Sequence, residues 1–336
     1  MSPTDPRALS ILHWLTHTLQ LDIIQFEPAS SDASFRRYFR VIHKNGQHIV
    51  MDAPPEKENT EPFIRIDKLF KASGVAVPEI YHQELAQGFL LLEDFGSTCL
   101  LDKLNNNNAL DFYSCAFNSL ETLQTKTSIT TSQLPLYDEV LLSQELSLFY
   151  DWFLEKYLNL SLPENIKQEL NSVLISSAIE QPQVCVHRDF HSRNLMALNN
   201  NSLGVIDFQD AVIGPITYDL VSLLRDCYIA WPEQKVYQWM TLYFHKITQS
   251  GLVSDDIDTF RNWFDLMGLQ RHLKAIGIFS RLHLRDNKSS YLKDIPRTMA
   301  YVSKICSQHA ELKDFNQYLT TTILPEYSLK NQTSRT

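Results

Sequence analysis

The sequence predicts an α/β (α+β) chain in two parts, a small antiparallel β-sheet lobe with one helix and a larger, mainly helical lobe. Three observations predict it. From about Phe35 to Glu93, short apolar runs alternate with turn residues. After Ser97, apolar residues recur at helical spacing. Deep in the helical part, an eight-residue polar loop, HRDFHSRN (187–194), lies between strand-like runs. With 336 residues, 44% of them hydrophobic, the chain can bury a core for two lobes.

The opening MSPTDPRALSILHWLTHTLQL lacks a basic start and breaks its apolar run at His13, His17 and Gln20. It reads as an amphipathic helix, not a signal peptide. YFRVI (38–42) and QHIVMDA (47–53) read as strands joined at Asn45-Gly46, a dipeptide suited to a tight hairpin turn. EPFIRIDKLFKASG (61–74) places Phe63, Ile66, Leu69 and Phe70 at helical spacing and stops at Gly74. VPEIYHQE and GFLLLEDFG supply two further strands. Beyond Ser97, segments 109–125, 138–160 and 164–179 carry helical periodicity, with a solvated turn at Asn105–Asn108. QVCV (183–186), LMAL (195–198) and LGVIDF (203–208) read as buried strands, with a turn at NNNS (199–202). The last residues, 328–336, read as a disordered tail. The expected division is therefore 1–96, 97–327 and that tail.

Composition excludes several classes. A net charge of −9 with no basic run argues against nucleic acid as a partner. No stretch approaches 18 uninterrupted apolar residues, so no membrane span is expected. Five scattered cysteines without a CxxC pair read as reduced thiols of a cytoplasmic protein. A monomer acting on small molecules is expected.

The loop carries the chemistry. If the runs after it pair as a hairpin, Asp207 returns beside Asn194, thirteen residues earlier. A carboxylate and an amide oxygen are hard donors that suit Mg²⁺, which completes its shell with water and substrate phosphates. Asp189 is then free to orient a hydroxyl and accept its proton. HRDxxxxN followed by a strand-borne Asp is the arrangement used for phosphoryl transfer from ATP.

His187-Arg188-Asp189 through Asn194, followed by Asp207-Phe208-Gln209, resembles the protein-kinase-like superfamily. With DFQ and without an APE segment, it is similar to the small-molecule branch, the aminoglycoside phosphotransferase and choline kinase family. The run HRDFHSRNLM…GVIDFQDAVIGPITYDLVSLLRDCYIAWP, with QRHLKAIGIF (270–279) and YLKDIPRT (291–298), resembles the bacterial kinases of cell-wall amino sugars. That likeness spans roughly 25–300. It implies a bilobal fold, ATP and Mg²⁺ as cofactors, and phosphorylation of N-acetylmuramate and N-acetylglucosamine at the anomeric hydroxyl in peptidoglycan recycling.

The resemblance implies roles residue by residue. Asp189 is the catalytic acceptor, and Asn194 and Asp207 hold the metal. His187 steadies the loop, and Asp219, at the start of an apolar helix, anchors its backbone. Backbone groups of Glu93 and Phe95 meet adenine at a hinge, unless that stretch is a plain connection. The phosphate loop SDASFRRYFR includes Ser34, Phe35, Arg36 and Arg37 but has no glycine. Met51-Asp52 stands where the third strand should carry a Lys. Arg36, Arg37 or Lys57 substitutes, or the arginines merely cover the sheet. For the acceptor, His191, Gln209 and Asp210 are candidates for sugar hydroxyls, and Arg271 or a neighbouring cation for a carboxylate. His191 and Arg193 fit a solvated loop equally well, and Trp231 fits either a sugar ring or the core.

Segment 261–297 carries ten Lys, Arg and His against three Asp. Leu269, Leu273 and Ile276 mark a buried helical face, with Arg271 and Lys274 on other faces. The basic side is either solvated or suited to an anionic acceptor. Kinases of aminoglycosides, choline or homoserine, and a catalytically silent module, are the alternatives.

Overall fold

A computed structural model describes residues 5–31, 35–198 and 202–333. The first elements are α1 (Pro6–His13), β1 (Ile23–Ser31), β2 (Arg37–His43), β3 (Gly46–Asp52), α2 (Glu61–Ser73), β4 (Ile80–Glu84) and β5 (Phe89–Glu93). Then come α3 (Leu100–Lys103), α4 (Ala109–Lys126), α5 (Glu139–Leu148), α6 (Glu164–Glu180), β6 (Gln183–Val186), β7 (Leu195–Ala197), β8 (Leu203–Val205) and β9 (Val212–Pro215). The chain ends through α7 (Tyr218–Leu224), α8 (Glu233–Gln249), α9 (Ile257–Asp286), α10 (Ile295–Gln308), α11 (Lys313–Tyr318) and α12 (Leu324–Thr333).

The contacts divide the chain into two compact units, Met1–Ser119 with Arg193–Asp210, and Leu120–Ser192 with Ala211–Thr336. This differs from a cut at residues 96 and 97. The first unit extends past α3 and takes back the β7–β8 hairpin, because backbone bonds outrank chain order. Val205 N–H donates to the Ala76 carbonyl at 2.7 Å, and Ala197 N–H to Thr98 at 3.0 Å. Helix α12 runs to Thr333, across most of the segment read as a tail.

The first unit is built on an antiparallel five-stranded sheet, order β1-β2-β3-β5-β4. The β2–β3 hairpin pairs His43 with Gly46, so its turn is Lys44-Asn45 and Gly46 opens β3, one residue before the turn expected at Asn45-Gly46. Ile11, Trp14 and Leu15 of the N-terminal helical segment pack with Phe39, Val41, Val50, Phe89 and Leu91 of the sheet. Helix α2 ends at Gly74, whose φ of +90° closes the helix in the left-handed region that glycine enters without strain. Strand β1 lies outside the region read as strands. It is an edge strand that carries Pro28 and two register shifts, which erase the alternation a strand normally shows.

In the second unit, the 30-residue α9 packs against α5, α6, α7 and α10. A Cβ at Gly277 would lie 2.3 Å from the Leu148 carbonyl carbon, so only glycine allows α9 to pass the end of α5 this closely. Strand β6 pairs with β9, and the loop beginning at His187 leaves β6 directly.

Candidate active site

In the second unit, β6 delivers the chain into the loop and α7 holds its start. Asp219, in the first turn of α7, accepts from the amides of His187 at 2.7 Å and Arg188 at 3.0 Å. Arg188 has φ of +77°, a conformation a long side chain adopts only under constraint from its surroundings. Asp219 supplies that constraint from the backbone, and Glu145 supplies it from the side chain, 2.5 Å from the Arg188 guanidinium. The Asp189 amide donates to His187 Nδ1 at 3.2 Å. Burial pushes Asp219 up to about 7 against its two amide bonds, and the nearby negative charge of Asp189 adds to the rise.

Asp189 is half-buried, and its environment is cationic. Burial acts to raise its pKa, but Lys274, His191, Arg271 and His187 outweigh that and hold the carboxyl down at about 2. It is therefore ionised at neutral pH.

Two of those charges come from α9, and both correct the reading of a solvated basic face. Arg271 and Lys274 are buried, on a stretch of α9 that is almost wholly enclosed from Trp263 to Lys274. Lys274 Nζ lies 2.9 Å from both Glu145 Oε1 and the Tyr218 hydroxyl, and the Tyr137 hydroxyl also donates to Glu145. Buried Arg225 is likewise neutralised by Asp265 at 2.7 Å. Arg271 differs. It is 6% exposed, its Nη1 meets Cys227 Sγ at 3.8 Å, and among the described residues no carboxylate lies within ion-pair distance. His191 is buried with its ring edge-on to Tyr228, centroids 5.3 Å apart. Trp231 is half-buried and packs edge-on against Trp239.

In the first unit, the β7–β8 hairpin brings Asn194 and Asp207 together. The Asn194 carbonyl accepts from the Ile206 amide at 3.0 Å, and Asn194 Nδ2 lies 3.3 Å from Asp207 Oδ2. Asp207 is not on the strand as expected. Strand β8 stops at Val205, and Asp207 has φ of +64°, a left-handed turn that aspartate tolerates better than most residues. The turn leaves Asp207 half-buried while Phe208 is buried against Phe63 and Phe70 of α2. Gln209 Nε2 donates to Asp207 Oδ1 at 2.9 Å and to Asp210 at 3.3 Å. Arg193 is half-buried just before Asn194.

The donor set fits a magnesium ion. Asn194 faces Asp207 with its amide nitrogen, and rotating that amide would set its oxygen beside the carboxylate as a second hard donor. Among the described residues no three His, Cys, Asp or Glu gather as a metal site. A two-oxygen set of this kind relies on water and substrate phosphates for the remaining ligands.

The nucleotide candidates separate clearly. Arg36 Nη2 lies 3.9 Å from Asp207 Oδ1. Arg37 is taken up by Asp5 and by buried Asp52, each at 2.6 Å, and Asp52 also receives Arg7. Asp52, in the position expected for a lysine, is thus a structural ion-pair centre. Lys57 Nζ sits 4.8 Å over the ring of Phe35, which is itself exposed. Ser34 lies outside the described residues. At the expected hinge, the Glu93 amide is already used by the Glu79 carbonyl at 2.8 Å. The ring of Phe95 lies over Gly204, where an added Cβ would come within 2.4 Å of it. Asp94 is fixed by Arg40 at 2.6 and 3.0 Å.

Sequence reasoning missed Lys274 as a neighbour of Asp189, and missed Glu145 and Asp226. Lys274 carried a signal, three residues after Arg271 on the same helix. Glu145 carried none.

A model of the phosphotransferase enzyme family matches residues 25–245. The chain is 42% identical over 295 residues to an N-acetylmuramate/N-acetylglucosamine kinase of Pseudomonas putida, covering 87% of this chain and 86% of that one. It is 43% identical over 298 residues to the protein of the same name from Pseudomonas aeruginosa, covering 88% and 87%. Among solved structures, an ADP-bound aminoglycoside phosphotransferase has a TM-score of 0.58 at 15% identity, covering 90% of this chain and 99% of that one. Choline kinase from Streptococcus pneumoniae has a TM-score of 0.61 at 15% identity, covering 88% and 99%. These likenesses at low identity establish the kinase-like fold, and the family match over most of the chain establishes the rest: the chain belongs to the phosphotransferase enzyme family.

Proposed function

We propose that this phosphotransferase moves the γ-phosphoryl group of ATP to the anomeric hydroxyl of N-acetylmuramate and N-acetylglucosamine, giving sugar 1-phosphates for cell-wall recycling in the cytoplasm. The Pseudomonas relatives bear those sugars in their names and align over nearly nine-tenths of the chain. The geometric observation that favours this acceptor is Arg271, a buried cation with no carboxylate at ion-pair distance among the described residues. Asp189 and Asp226 act on this guanidinium from beyond ion-pair distance, and a carboxylate arriving with the substrate would give it a direct bidentate partner. N-acetylmuramate carries one on its lactyl group.

In this reading, Asp189 accepts a hydrogen bond from the C1 hydroxyl and takes its proton as the C1 oxygen bonds to phosphorus. The bond from phosphorus to the bridging oxygen breaks, and ADP leaves with that electron pair. A carboxyl at about 2 is a weak base. It suffices because a loose phosphoryl-transfer transition state needs positioning and charge neutralisation more than early proton removal. An anomeric hydroxyl is also more acidic than other sugar hydroxyls. Mg²⁺ held by Asn194 and Asp207 would supply charge neutralisation on the phosphates. Arg36, near Asp207, is the phosphate-loop cation best suited to add to it.

Phosphorus–proton coupling in the NMR spectrum of the product tests the regiochemistry. Coupling to H1 supports the proposal; coupling to the H6 pair, or no turnover of either sugar, rejects it. Methylating the lactyl carboxyl tests Arg271 on the unaltered enzyme. The ester should raise KM by at least ~10-fold, as expected for a lost charge-assisted bidentate pair. In Arg271→Gln the acid and ester should become nearly equal, and an ester handled like the acid by the wild type removes the Arg271 assignment.

A further inference from the structure

The catalytic loop is gripped on both sides of Asp189 by carboxylates from one short stretch of chain. Asp219 takes the amides of His187 and Arg188 on the near side. Asp226, just past the end of α7, takes the far side. Its Oδ2 accepts from the Ser192 amide at 2.9 Å and from the Ser192 hydroxyl at 2.5 Å. Its Oδ1 accepts from the Tyr228 amide at 2.9 Å. Asp226 and Ser192 are both buried, and every residue of α7 between the two acids is buried as well. The two carboxylates therefore hang from one rigid support.

The segment around Asp226 reaches the same charges that surround Asp189. Cys227 Sγ meets Arg271, and the Cys227 carbonyl accepts from Arg297 Nη1 at 2.7 Å. Tyr228 packs against His191. Releasing Ser192 would leave the loop held at its near side alone, where Arg188 keeps a sparsely populated backbone conformation. A strained loop clamped at one end relaxes toward the other.

We propose that Asp226 is a positioning residue for phosphoryl transfer, holding the far side of the catalytic loop through Ser192 so that Asp189 meets the acceptor hydroxyl in productive geometry. The proposal rests on Asp189 being the proton acceptor and extends that reading to a residue outside the kinase motif. A displacement of about 1 Å at a reacting group is enough to cost on the order of 10²-fold in rate. A core acid that only stabilised the fold would not act through Asp189.

The experiment is a double-mutant cycle on kcat, using whichever acceptor the wild type phosphorylates, with thermal unfolding as the check on folding. Asp226→Ala and Ser192→Ala are each measured in the wild type and in Asp189→Asn. Asp226→Ala should lower kcat by ~30–100-fold while moving the nucleotide KM by less than ~3-fold. Ser192→Ala keeps the amide bond to Asp226 and should lower kcat by only ~3–10-fold. In the Asp189→Asn background, each should cost less than ~3-fold, because the group being positioned is already gone. Equal losses in both backgrounds overturn the proposal, and so does wild-type kcat in both single variants. If Asp226→Ala fails to fold, Ser192→Ala carries the test alone, since it removes one hydroxyl and leaves the acid in place. High activity in Asp189→Asn is a separate outcome: it rejects the proton-acceptor reading, and this proposal with it.

Discussion

Asp189 is ionised because four cationic or ionisable neighbours outweigh its burial, and this fixes what its loss and its titration should look like. Asp189→Asn keeps the shape and removes the acceptor charge. It should fold, bind nucleotide, and lose at least ~10²-fold in kcat, the low end for a positioned base; near-wild-type turnover would end the assignment. The pH dependence follows from the sign of the shift. A carboxyl depressed to about 2 stays charged as pH falls through the ordinary carboxylate range. Its contribution to stability is present above the unfolded value near 3.8 and is lost only as pH falls toward about 2. Asp189 should therefore place no acid limb in kcat above about pH 4, and a limb there that disappears in Asp189→Asn would contradict the environment described for it. HRD, the Asn five residues on and the later Asp were legible because their spacing along the chain is itself the pattern. Glu145 and Lys274 were not, because they are 129 residues apart and meet only when α5 packs on α9.

At the scale of elements, the start of β2 separates two adjacent cations. Adjacent Arg36 and Arg37 looked equivalent in the sequence. Arg37 opens β2 and Arg36 lies just before it, and their side chains part to different partners. Arg37 pairs with Asp5 and Asp52, while Arg36 approaches Asp207. Arg36→Ala should raise the KM for ATP by ~5–50-fold with little change in unfolding midpoint, on the scale of one lost charge-assisted contact. Arg37→Ala should do the reverse, costing on the order of 1–3 kcal/mol of stability because Asp52 is buried and, among the described residues, keeps only the Arg7 guanidinium. Lys57→Ala should resemble the wild type in both. A raised KM in Arg37→Ala with unchanged stability would reverse these roles. The edge strand β1 escaped sequence reading for a related reason: Pro28 and the register shifts break the alternation from which strands are recognised.

For the whole molecule, ligand binding and stability are coupled by mass action. A ligand at 100 times its Kd that binds only the folded chain stabilises it by about 2.7 kcal/mol. Mg²⁺ with ATP should therefore raise Tm clearly in the wild type. Asp189→Asn should keep most of that rise, since it alters the acceptor side of the chemistry. Asp207→Ala should lose most of it. A full Mg²⁺-dependent rise in Asp207→Ala would remove that residue from the metal site. The division into units bears on this, because Asn194 and Asp207 belong to the first unit and Asp189 to the second. The motif is continuous in sequence, and its residues fall in both units.

The sequence by itself determined the α+β class, the β2–β3 hairpin to within one residue of its turn, the end of α2 at Gly74, and the motif with its Asp, Asn and Asp. Each is set by local chemistry: a turn that needs a particular φ, a helical period, or reactive groups at fixed spacing. The tertiary structure alone decided that β7 and β8 join the first unit, that Asp207 sits in a turn beyond β8, and that Arg271 and Lys274 are enclosed. It also decided that Asp52 is an ion-pair centre and that Asp226 holds Ser192. These depend on which distant segments meet, and burial turns a charge that reads as solvated in the sequence into one that must find a partner.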